Sequence, residues 1–268
     1  MIINRRRGFA AIALLYGVVF ASSAKASLVF DGVATGKGAG IGTSNVVLTI
    51  QKNPTESGCV GWNGTTNVIG ATCVGTLPSL SPAIAGGDEK TGSSQTQTQL
   101  VSATGVQSGS SLVVILNVGE PAGNLFTAEN VSLTIYSPTG TVLFNSGNMV
   151  NAGTPPGGVT INSSFQGQGN LGFAFILDPT QAALASPFLC TNALAVGCAG
   201  LASAANANNR FGLAAVLTNV AGSNETFSIA DFSSVDITTP EPLTFVTGAG
   251  GLMLLGLLRR FRDARRSK

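Results

Sequence analysis

Apolar positions in the middle of the chain occur in short runs, the spacing expected of strands. Leu112-Val113-Val114-Ile115-Leu116 is unbroken and reads as a buried strand. Val131-Ser132-Leu133-Thr134-Ile135-Tyr136 alternates with period two, which sets Val131, Leu133 and Ile135 on one face. Ser137-Pro138-Thr139-Gly140 then matches a type I turn, with proline second and glycine fourth, and Thr141-Val142-Leu143-Phe144 returns as the partner strand. Leu171 to Leu177 is another strand, followed by Asp178-Pro179-Thr180-Gln181. There Asp178 suits a helix cap, Pro179 its first turn and Gln181 a capping box, so a short helix is expected. Phe211 to Leu217, the alternating Phe227 to Phe232, and Val235 to Ile237 complete the C-terminal half.

The N-terminal half is less regular. Val46 to Ile50 predicts a strand, whereas glycine-heavy Asp31 to Gly42 predicts a loop. Cys59 to Cys73 and Cys190 to Cys198 are expected to enclose loops. Leu77 to Pro82 carries prolines that exclude it from a sheet interior, and Gly86 to Gln99 is polar and expected to be mobile. At least seven strands joined by short turns predict a mainly β fold, a β-sandwich with one short helix.

Both ends depart from this pattern. Arg5-Arg6-Arg7 precede an apolar run from Phe9 to Phe20, and small residues end in Ala24-Lys25-Ala26. That is the layout of a secretory leader cut after Ala26, so residues 1–26 are read as a signal peptide and Ser27 as the mature start. At the other end Thr239-Pro240-Glu241-Pro242 precedes an apolar stretch from Leu243 to Leu258 and a basic tail over 259–268 that contains Arg259, Arg260 and Arg262. A helix of about 16 residues is roughly 24 Å long, slightly short of a roughly 30 Å hydrocarbon core, and snorkelling arginines can cover the deficit. The arginines hold their side in the cytoplasm, which leaves Pro240 and everything before it outside. The body of the protein is therefore expected over 27–238 as one extracellular domain.

The order of Pro240-Glu241-Pro242, short apolar helix and basic cluster resembles the PEP-CTERM sorting signal. The resemblance covers roughly the last tenth of the chain and implies a delivery route. It implies a Gram-negative host that makes exopolysaccharide, with an inner-membrane exosortase that recognises Pro240, Glu241 and Pro242 and removes the helix. The helix would sit in the inner membrane before processing, and the body would reach the cell envelope or extracellular matrix. The resemblance also implies glycosylation of some exported members. The sequons at Asn63, Asn130, Asn162 and Asn224 are candidates, though chains rich in Asn and Thr generate such triplets by chance.

Trimming both ends changes the charge. The whole chain carries +2, but between Ser27 and Thr239 four basic residues face ten acidic ones, a net of minus six. Nucleic acid is excluded as a partner, because phosphate neutralisation needs clustered Lys and Arg. Four cysteines suit an oxidising compartment, and locality favours Cys59 with Cys73 and Cys190 with Cys198 among three pairings.

Candidate chemistry is sparse. With no histidine, the chain lacks the Ser-His-Asp and Cys-His mechanisms and most zinc, copper and non-haem iron sites. No Ser-x-x-Lys stands before Lys37, Lys52 or Lys90, no Gly-x-Ser-x-Gly elbow is present, and Gly87 to Ser93 and Gly32 to Lys37 only imitate phosphate loops. No cofactor or metal is expected. Asp178, Glu225, Asp231 and Asp236 are the acids a two-carboxylate glycoside hydrolase would draw on. Trp62, in Gly61-Trp62-Asn63-Gly64, either stacks on a sugar or covers the first disulfide. The leading expectation is a non-enzymatic structural or adhesive protein in an exopolysaccharide or biofilm setting. A carbohydrate-binding module is the alternative, and a carboxylate-dependent glycoside hydrolase ranks third.

Overall fold

The computed structural model describes residues 27–36, 45–74, 83–92, 95–121, 123–149, 158–163 and 171–238. Its strands are β1 (Leu28–Gly36), β2 (Asn45–Ile50), β3 (Thr55–Trp62), β4 (Asn67–Ile69), β5 (Gln99–Leu100), β6 (Leu112–Asn117), β7 (Leu125–Tyr136), β8 (Val142–Asn145), β9 (Val159–Asn162), β10 (Leu171–Leu177), β11 (Arg210–Thr218), β12 (Glu225–Asp231) and β13 (Val235–Thr238). Helices α1 (Ala71–Val74), α2 (Val101–Thr104) and α3 (Pro179–Leu189) interrupt them. The chain is mainly β, in two antiparallel sheets. One runs β13-β1-β10-β6-β12-β2, the other β4-β3-β11-β7-β8, with β5 on β11 and β9 on β7.

The sheets share one core. Leu48, Leu112, Val114, Leu116, Phe175 and Phe227 from the first sheet meet Val60, Val131, Leu133, Ile135, Phe211 and Leu213 from the second. The alternation read in β7 points its apolar face there, while Asn130, Ser132 and Thr134 lie on the other face. The first sheet is buried on both sides. Val113 and Ile115 pack outward against Ala34, Ala174, Ala230 and Val235, which is why β6 reads as an unbroken apolar run.

Local rules account for the connections. Gly140 N donates to Ser137 O at 3.0 Å, closing the predicted turn between β7 and β8. Asp178 caps α3 by accepting from Thr180 and Gln181 N–H groups at 2.8 and 3.1 Å, with Pro179 in the first turn. The reciprocal arm of a capping box is absent, since Gln181 Oε1 is buried with no hydrogen-bond partner. The helix runs 11 residues and carries Pro187 inside it.

Three expectations need correction. The glycine-heavy stretch from Asp31 begins as strand: β1 extends to Gly36, bulges between Phe30 and Gly32, and pairs with both β10 and β13. Gly32, at φ 120°, supplies the backbone a side chain would resist. Cys59 lies within β3, so the first disulfide ties a strand to α1 and does not staple a loop. The polar segment predicted as mobile is anchored where described. Asp88 Oδ2 accepts from Ser57 N at 2.9 Å and Glu89 Oε1 from Cys59 N at 2.6 Å, so two carboxylates satisfy β3 donors that a neighbouring strand would otherwise take.

The cysteines pair as expected, Cys59 with Cys73 and Cys190 with Cys198, at Cα separations of 5.9 and 5.5 Å. No helix among the described residues is long and apolar enough to cross a membrane. The signal peptide over 1–26, including Ala24 and Ala26, the Pro240-Glu241-Pro242 motif, the apolar stretch over 243–258 and the basic residues Arg259, Arg260 and Arg262 lie outside the described residues.

Candidate functional site

Two places concentrate chemistry, at opposite ends of β12. The first is a cluster of three buried carboxyls. On β3, Glu56 shares the inward face with Gly58 and Val60 and sits opposite Leu217 of β11. On β12, Glu225 shares the inward face with Phe227 and Ile229 and sits opposite Ile50 of β2. Strand alternation therefore drives one acid inward from each sheet. Glu120, from the β6–β7 connection, joins them. Their relative exposures are 0, 1 and 3%.

Each acid has a different environment. Glu120 accepts from Ala221 N at 2.9 Å, Gly222 N at 3.1 Å and Asn124 Nδ2 at 2.6 Å, donors suited to negative charge. Glu56 Oε2 accepts from Lys52 N at 3.1 Å. Glu225 is within hydrogen-bonding reach of both other acids. Burial, then its contacts with Glu56 and Glu120, pushes its carboxyl up to about 10. Burial also raises Glu56, with the charges of Glu120 and Asp88 adding, while its hydrogen bonds with Glu225 and Lys52 N oppose the shift. Glu56 Oε1 and Glu225 Oε1 are buried with no hydrogen-bond partner. A protonated Glu225 carboxyl can donate to Glu56, where a carboxylate could only accept. The neighbouring cation, Lys52 Nζ, pairs with Asp88 at 3.2 Å.

This arrangement favours the protonated form of Glu225, and all three acids are buried away from solvent. Among the described residues no group of three or more His, Cys, Asp or Glu side chains is arranged to hold a metal ion.

The second place is a cavity of about 550 Å³ where β12 meets the start of β6, about 20 Å along the strand from Glu225. Val29, Leu112, Ile176, Leu177, Leu201 and Phe232 give it an apolar wall. Its polar side chains are already engaged. Ser186 Oγ donates to Ala182 O and accepts from Gly109 N, and Ser110 Oγ contacts Ser108 Oγ. Asp178 is the acid of the lining. Its Oδ1 accepts from the helix cap, and its Oδ2 accepts from Ser27 N at 2.7 Å.

The sequence-derived acids do not converge. Glu225 joins Glu56 and Glu120, neither of which the sequence reading singled out. Asp178 stands alone at the cavity, Asp231 caps the turn at Ser233, and Asp236 sits on β13 beside Thr35 of β1. A detectable signal for the cluster was present: in Glu-Thr-Phe-Ser-Ile-Ala-Asp the alternation that buries Phe227 and Ile229 also buries Glu225.

Trp62 ends β3 and is not among the side chains packed on the first bridge. The bridge between Cys59 and Cys73 is covered by Ile84, Val216 and Val68. The Trp62 ring lies 4.1 Å below the Arg210 guanidinium, and its Nε1 donates to Pro138 O at 2.9 Å, locking the β7–β8 turn against β3. One ring face is thus occupied by the protein itself. Of the sequons, Asn130 is fully buried and bonded to Asn148 and Met149, so it is closed to modification in the folded domain.

No protein-family model matches the chain, and no curated protein or solved structure matches it either.

Proposed function

We propose that this chain is an exported β-sandwich protein of the cell envelope or extracellular matrix, carried out by the leader over 1–26 and sorted through the Pro240-Glu241-Pro242 tail by an exosortase-type enzyme. Its role is structural or adhesive in an exopolysaccharide setting.

The observation that carries this reading is that both disulfides and both described sheets lie between the two proposed cuts. β1 begins at Leu28, two residues after Ala26, and β13 ends at Thr238, two residues before Pro240. Both proposed cuts leave every described strand whole. Two disulfides fit an oxidising compartment. Glu225 is enclosed, Asp178 and Asp231 serve as caps, and the cavity lacks a carboxylate pair, which favours a structural role over two-carboxylate hydrolysis.

The test is genetic. In the native host, Pro240→Ala with Pro242→Ala retains the protein in the membrane fraction, while the wild-type chain appears in the matrix. Equal release of both forms would remove the sorting claim.

A further inference from the structure

We infer that Asp178 is the receptor for the amino terminus created when the leader is removed. The inference rests on the proposed cut between Ala26 and Ser27. The bond between Ser27 and Asp178 spans 151 positions of sequence and is made twice over. Ser27 N donates to Asp178 Oδ2 at 2.7 Å, and Asp178 N returns a bond to Ser27 O at 3.2 Å. With the leader attached Ser27 is 2% exposed, and its bond to Asp178 is partly buried.

The chemistry of the donor changes on maturation. While the leader is attached, Ser27 N is an amide and the contact is a neutral donor on a charged acceptor. A signal peptidase adds water across the 26–27 peptide bond, leaving a carboxylate on Ala26 and an ammonium on Ser27. The same short contact, already charge-assisted by the carboxylate, then becomes an ion pair as well. Asp178 also caps α3, which contributes Ala182 and Ser186 to the cavity wall. The ion pair thus joins the first residue of the mature chain, the first strand and the helix. Processing tightens the fold at this corner.

The experiment compares two exported forms, one beginning at Ser27 and one carrying a neutral Gly-Ser-Gly-Ser extension ahead of it, each with Asp178 or Asp178→Asn. Asparagine caps helices about as well as aspartate, so the substitution removes charge and keeps the cap. At pH 6, where an ordinary α-amino group with pKa of about 7.7–8.0 is charged, the Ser27 form melts about 2–6 °C above the extended form. In the Asp178→Asn background the gap closes. Equal melting of the two forms, or a gap that survives Asp178→Asn, overturns the inference. Sequencing the amino terminus of the host's own protein separates the two claims. A start elsewhere sinks the leader reading, whereas a start at Ser27 with no thermal gap sinks only the ion pair.

Discussion

Glu225 from one sheet and Glu56 from the other come within hydrogen-bonding reach inside the core, where burial and then the contact with Glu56 push the Glu225 carboxyl up to about 10. The sign of its effect on stability follows. The folded-state pKa of Glu225 is about 10 against an ordinary 4.5, so the unfolded chain gives up this carboxyl's proton first. The stability associated with it is fully present below about pH 4.5 and is lost as pH rises towards 10.

Glu225→Gln keeps a donor in the same place and cannot ionise. Its advantage over the wild type is predicted to be small at pH 4 and to grow by up to about 1.4 kcal/mol per pH unit above that. Glu56 and Glu120 add negative charge that holds this proton in the folded chain, Asp88 adds charge beside Glu56, and Lys52 pairs with Asp88. Chemical denaturation across pH 4 to about 9 measures it. Parallel curves for the two proteins would dismiss the protonated Glu225.

Gly212→Ala tests the packing of the second sheet. A Cβ there would press on Val60 O of the neighbouring strand and come within 2.8 Å of the Tyr136 ring, which also lies against Gly61. Backbone cannot yield as a flexible side chain would. A loss of about 1–3 kcal/mol is expected, read as a lower melting temperature, and an unchanged one would mean that Tyr136 is not seated on these glycines.

How much of this was legible depended on range. β6, the β7–β8 hairpin, β10 and the Asp178 cap follow from neighbours within a few residues, where alternation and turn chemistry act directly. β1 was hidden because its glycines read as a loop, and its strand character comes from partners about 140 and 200 positions away. β3 was hidden similarly. Gly58 and Gly61 look like loop residues, yet they are small because Ile50 and Tyr136 occupy the space a side chain would take. The carboxyl cluster needs three distant segments to meet. Only the inward position of Glu225 was available locally.

Replacing Cys59 and Cys73 together with alanine should cost about 3 kcal/mol on the loop-entropy account for a loop of roughly 15 residues. The bridge is wholly buried and ties β3 to α1, so the loss appears in global denaturation of the chain. Unchanged global stability would show that α1 and its bridge contribute nothing to the cooperative unit.

Arg210→Met should uncover one face of Trp62 and remove the bonds to Thr98 O and Oγ1 at 3.3 and 3.2 Å. Because Trp62 is the single tryptophan, its emission reports the change directly. A red shift with about 0.5–2 kcal/mol of lost stability is predicted. In the wild type Arg210 covers one face of the ring, so titration with matrix polysaccharide tests the other face, and flat emission keeps Trp62 a structural residue. Saturable quenching would reassign Trp62 to a glycan.

The central claim is that the folded domain is the part that remains after both ends are removed. Intact-mass and terminal-peptide mass spectrometry of protein recovered from the host's matrix tests it most directly. A mature chain beginning at Ser27 and ending near Pro240 to Pro242 is the predicted result, and a chain ending at Lys268 in the membrane fraction would contradict it.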